Sequence, residues 1–184
     1  MTTDDGLAAS LAAELEQAYY EFADHLACLR PEQWRSAAVN SPDVVRGADE
    51  RRPVSVVAHH VGDMLPVLAD RAQRLAVGER LPALTPHDLD AINAKHALVN
   101  RNPNQAETVA MIRDCASRAA AVIRELTDQQ LRRTGRAGGR ATTAERFVRR
   151  IVIGHVAWHD GSIRATVDSS SPPAGRADVG SVGR

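Results

Sequence analysis

The chain has 184 residues, 23 basic and 23 acidic side chains and a formal net charge of zero, which excludes the basic excess or stripe of a generic nucleic-acid binder. Its length suits one domain with a sizeable core and no covalent staple; the two cysteines, Cys28 and Cys115, form no CxxC pair, so a reducing compartment is expected. The acidic start, MTTDDGLAAS, lacks the basic and long apolar regions of a secretion signal, and no apolar run approaches the roughly 20 residues that span a bilayer, so the expectation is a cytoplasmic protein with neither a membrane nor a nucleic-acid partner.

Only helical periods appear along the chain. In LAASLAAELEQAYYEFADHLACL, apolar residues recur at three- and four-residue spacing: Leu11, Leu15, Tyr19, Phe22, Leu26 and Leu29. Pro31 ends this helix, and PEQW starts a short turn or helix. Ser41 to Arg52 is polar and reads as loop. A second long helix starts at Pro53, a residue suited to a first turn, and ends at Gly78, a residue suited to a C-cap. Pro66 lies inside it and should kink or break it. Thr85-Pro86 predicts an N-cap and first turn for a helix over Pro86–Val99. After the break at Asn102-Pro103-Asn104, Gln105 to Leu126 reads as a third long helix, with Val109, Ile112, Ala116, Ala119, Val122, Ile123 and Leu126 inward. GRAGGRATT is a Gly-rich loop, and it matches neither of the phosphate-cradling glycine motifs. Thr142 or Thr143 caps a fourth long helix that runs to about Val167. The last stretch, SSSPPAGRADVGSVGR, is low-complexity and expected to be disordered. The fold expected is an all-α four-helix bundle over residues 1–168 with a short extra helix, followed by a disordered tail over 169–184.

Two histidines stand out on the fourth helix. On a wheel at about 100° per residue, Ala144, Val148, Ile151, Val152, His155, His159 and Ile163 share one stripe. Imidazoles at i and i+4 are neighbours, and their nitrogens can converge on one ion at about 2 Å from each. Buried ring nitrogens left unpaired are costly, so something must satisfy them: a metal, a carboxylate, water or backbone. On the second helix the wheel places His60 at the flank of the core stripe formed by Val54, Val57, Val61, Met64, Leu65 and Leu68, and turns His59 nearly away from it. Pro66 can shift that phase, which leaves His59 as the alternative to His60. Asp63 follows His59 by four residues, as a surface pair or a partner for an imidazole N–H. Three inward histidines with an open fourth position describe a catalytic rather than a structural metal centre.

"VVAHHVGDM" in the second helix and "GHVAWHDGSIR" in the last resemble the DinB-like superfamily, and "LRPEQW" and "DAINAKHA" are similar to other segments common there. The resemblance covers roughly residues 7 to 167. It implies an up-down-down-up four-helix bundle, with His60, His155 and His159 as ligands of a divalent metal, zinc first and nickel next. It further implies a metal-dependent low-molecular-weight-thiol S-transferase. Mycothiol is the expected cosubstrate, because an Arg-rich chain whose one lysine is Lys95 suggests a GC-rich genome. The partners would be a small thiol and an electrophile. The alternatives are a metal-dependent hydrolase or isomerase on the same site, or a non-catalytic metal-binding stress protein. Bundles of this kind often form homodimers. Asn93 and His96 are placed either at the pocket mouth or as exposed polar residues or a helix–helix hydrogen bond. Cys115 is expected to be buried, Trp34 and Trp158 to serve packing, with Trp158 beside the site, and His25 and His87 to be structural or surface residues.

Overall fold

The computed structural model describes residues 6–38 and 52–169. Apart from Ser169, the last residue of the final helix, the tail expected to be disordered lies outside the described residues, as does most of the expected loop at Ser41–Arg52. The helices are α1 (Gly6–Ala27), α2 (Pro31–Arg35), α3 (Val54–Ala76), α4 (Pro86–Val99), α5 (Gln105–Arg124), α6 (Asp128–Arg132), α7 (Ala144–Phe147) and α8 (Gly154–Ser169). A π-helical segment, Val148–Ile153, joins α7 to α8 in one continuous run.

The long helices pack as the all-α bundle that the periodicity predicts. α5 packs heavily against both α1 and α3, and the α7–π–α8 run lies against α1 and α3. The core is mostly alanine and aliphatic, with Leu11, Leu15, Tyr19 and Phe22 of α1 meeting Val61 and Leu65 of α3, Ile112 and Ile123 of α5, and Val148, Val152 and Ile163 of the last run. Each large side chain buried this way contributes about 1.5–3 kcal/mol.

The chain ends of the helices follow their sequence signals. Thr85 accepts a hydrogen bond from the Asp88 amide, and the Asp88 carboxylate accepts from the Thr85 amide, so α4 begins with a reciprocal cap. Thr143 caps α7 through the Arg146 amide. At the end of α3, Gly78 has φ +94°, and the Gly78 and Glu79 amides donate to the carbonyls of Leu75 and Arg74. This paired closure needs a left-handed residue, which glycine supplies without a Cβ penalty.

Three expectations need correction. Pro66 does not break α3, which continues from Val54 to Ala76 with Pro66 exposed. The Gly-rich stretch is not a loop but a hairpin, β2 (Thr134–Ala137) and β3 (Arg140–Thr143), with β1 (Arg80–Leu81) added in parallel beside β2. Gly138 and Gly139 form its two-residue turn with φ +58° and +78°, the signature of a turn with both central residues left-handed. Strands of four polar or small residues carry too little alternation to reveal themselves by period, and only the Gly-Gly pair announced them. Finally, Ile151 is 37% exposed rather than inward, because the π-helical winding rotates it off the 100° stripe.

Candidate metal centre

His60 comes from α3 and His155 and His159 from the first turns of α8. α3 buries Val56, Val57 and Val61 around His60, which is itself only 5% exposed. The phase of α8 is set just upstream by the π segment. There the buried Tyr19 hydroxyl of α1 donates to the Val152 carbonyl at 3.0 Å. After that segment, α8 buries Val156, Ser162, Ile163 and Thr166 and leaves His155 and His159 half-buried at the edge of the closed core. Trp158 projects outward at 51% exposure, so it does not close the site.

His60, His155 and His159 each offer a ring nitrogen, and these nitrogens all lie within 4.8 Å of one another. The ring centres are 5.3 Å apart for His60 and His155, 5.4 Å for His60 and His159, and 4.7 Å for His155 and His159, all meeting edge to face. An ion at about 2 Å from each nitrogen needs nitrogen separations of roughly 3–4 Å. Rotation about the soft ring torsion of each histidine closes that difference. The three are therefore able to hold a metal ion, and the donor set is all imidazole, a set that suits zinc, nickel and copper.

The electrostatics prepare His60 for that role. Burial, and after it the neighbouring His155, His159, His96 and Arg52, push its pKa down to about 2 from the usual 6.5. It is neutral at any physiological pH, the form a metal requires. Its Nδ1 is buried with no hydrogen-bond partner in the protein, a cost that a ligand or second partner would offset.

Two further histidines complete a cluster that sequence periodicity only half revealed. His59 is not turned to solvent. It is half-buried beneath α4, and its Nδ1 lies 3.0 Å from Nε2 of His96. His96 is 8% exposed and buried, its ring centre 5.1 Å from that of His59 and 5.2 Å from that of His60. His96 thus makes a helix–helix hydrogen bond and is not an exposed residue. Burial depresses both pKa values, the other imidazole adding to the effect at His96, while Asp63 opposes it. Asn93 is half-exposed on α4, and its carbonyl accepts from Arg52 at 3.5 Å. His25 does have a partner: its Nδ1 lies 2.5 Å from the carboxylate of Asp160, which also accepts from Arg164 at 2.7 Å. Burial raises the Asp160 pKa, but these two contacts outweigh it and the net shift is downward. Nothing in the spacing of the sequence linked residues 25 and 160. Cys115 is buried, Cys28 exposed, and Trp34 is packed with its indole N–H on the Pro103 carbonyl at 3.1 Å.

No helix among the described residues is long and apolar enough to cross a membrane. Comparison with curated proteins and with solved structures finds no match. The family model of the DinB superfamily matches residues 14–163, a span that takes in most of α1, all five clustered histidines and the whole π segment, and the chain belongs to that superfamily.

Proposed function

We propose that the protein is a divalent-metal-dependent thiol S-transferase, with His60, His155 and His159 as the protein ligands, zinc as the metal of first choice and mycothiol as the thiol. The observation that carries this reading is the convergence of three imidazole nitrogens within 4.8 Å on the only histidine triad of that kind among the described residues. When bound, a divalent ion at three neutral ligands keeps its full charge, lowers the pKa of a thiol and holds it as the nucleophilic thiolate.

The chain's own residues supply the rest. His60 stays neutral because it is buried, so it adds no charge that would compete with the ion. His155 and His159 are half-buried and form the side on which thiol and electrophile enter. Asp160, next in sequence to His159, is committed to His25 and Arg164 and does not neutralise the centre. In the transfer, the sulfur forms a bond to the electrophilic carbon, the leaving group departs with its bonding pair, and the thiol proton passes to solvent. A cytoplasmic location suits such chemistry, because thiols stay reduced there.

The test is metal content by elemental analysis on untagged protein, for wild type and for His60→Ala, His155→Ala, His159→Ala and the control His59→Ala. About one metal per chain, lost in the three variants and kept in the control, supports the site, and thiol-dependent turnover of a model electrophile then separates transfer from hydrolysis. Wild-type protein that stays metal-free after reconstitution overturns the reading.

A further inference from the structure

The β2–β3 hairpin stands beside the start of the last helical run, and a cavity of about 470 Å³ lies between them. Thr134 and Thr142 line it from the hairpin, and Glu145, Arg146, Arg149 and Arg150 from the helical run. It shares no residue with the histidine cluster. Its volume is that of a small-molecule site, roughly 300–1,000 Å³.

Three guanidiniums here stand against one carboxylate. That carboxylate is already matched, because Arg149 donates from Nε to Glu145 at 3.4 Å and from Nη1 to Glu14 of α1. These two contacts anchor Arg149 in the cavity wall and cancel the charge of Glu145. Arg146 and Arg150 are exposed, and among the described residues neither guanidinium has a carboxylate or hydrogen-bond partner. A single exposed arginine without a carboxylate is ordinary. Two on the wall of one cavity, beside a third held in place, repel each other and concentrate positive potential where a small anion fits.

We propose that this cavity binds a phosphoryl dianion, either phosphate itself or the terminal group of a small phosphomonoester. Each guanidinium presents a planar fork of N–H donors that matches a pair of phosphate oxygens. A phosphomonoester carries nearly two negative charges and three strong acceptor oxygens, enough for both unpaired forks, with the Thr134 and Thr142 hydroxyls as further donors. A monocarboxylate brings one charge and two oxygens and satisfies one fork. Nucleic acid is not the ligand class, since a phosphodiester has one charge per phosphate and the chain has no basic excess to hold a run of them.

The test is titration of the full chain at constant ionic strength, because salt screens exposed charges. Binding is read by calorimetry and by the rise in Tm. The probes are inorganic phosphate, phenyl phosphate and benzoate. Wild type is expected to bind at least one of the phosphates tenfold more tightly than benzoate. Arg146→Gln combined with Arg150→Gln should weaken that binding at least tenfold. Arg140→Gln, on the hairpin but outside the cavity lining, should stay within twofold of wild type. Each single variant should fall between these two, which localises the site even if the double variant is unstable. Tighter binding of phenyl phosphate than of inorganic phosphate identifies a phosphomonoester, and the reverse or equality identifies phosphate; either supports the site. Benzoate bound as tightly as the phosphates overturns the dianion class. Phosphate binding that survives in the folded double variant places the anion elsewhere, a metal ion at the histidines included, and overturns the site. No binding of either phosphate at millimolar concentration by either readout overturns it as well.

Discussion

Tyr19 and Val152 are 133 residues apart in sequence and joined by a buried hydrogen bond of 3.0 Å from the phenol to the backbone carbonyl. The bond ties α1 to the π segment three residues before His155, and so helps to fix the phase of the helix that carries two of the clustered histidines. Burial raises the Tyr19 pKa, so the phenol stays a donor across the useful pH range. Tyr19→Phe removes only the donor and leaves the carbonyl buried and unsatisfied, at a cost of about 1–3 kcal/mol. Urea denaturation should show that loss with metal stoichiometry retained. Stability equal to wild type would mean that the π segment is held by packing alone.

Stability of the metal-free protein should fall with acid. His60 has a folded pKa of about 2 against an ordinary 6.5, and His59 and His96 are also shifted down. Below about pH 6.5 the unfolded chain takes up protons at these sites that the folded chain refuses, so the stabilisation present above that pH is lost as pH drops. At pH 5 the His60 contribution is about 2 kcal/mol, at 1.36 kcal/mol per pH unit. Denaturation in chelator at pH 7 and pH 5 reads it out. His60→Leu, buried but unable to titrate, should flatten the difference.

Metal should stabilise the fold in proportion to its occupancy. A ligand that binds only the folded state at one hundred times its Kd contributes about 2.7 kcal/mol. Zinc added to chelated protein should raise Tm for wild type and for His59→Ala, and leave His155→Ala and His159→Ala unmoved. A rise of equal size in all four would place the ion elsewhere.

Gly62 lies where α3 meets α5, two residues after His60. An added Cβ there would stand 2.6 Å from Met111 Cε and 2.9 Å from Ile112 Cγ1. The methionine end can move, but the branch of Ile112 is fixed in the core. Gly62→Ala gains up to about 1 kcal/mol of helix propensity and meets an overpacking cost of about 1–3 kcal/mol. Net destabilisation of about 1 kcal/mol is expected by thermal melt, and a stabilised variant would show that α5 gives way freely.

The sequence by itself determined which long segments are helical, how α4 and the last helical run begin, how α3 ends, and that His60, His155 and His159 share inward faces. Each of these is a local matter of spacing at 3.6 residues per turn or of a capping side chain, and a single segment carries the signal. Tertiary structure decided what periodicity could not express. The π segment moved Ile151 out of a stripe that a uniform 100° wheel had put it in, because the wheel assumes one winding throughout. α4 has no apolar stripe to announce its docking, so only its placement over α3 turned His59 from a solvent residue into the partner of His96. The link of His25 to Asp160, and of Tyr19 to Val152, spans more than 130 residues. Such contacts depend on how whole helices lie against each other, and no spacing within one helix encodes them.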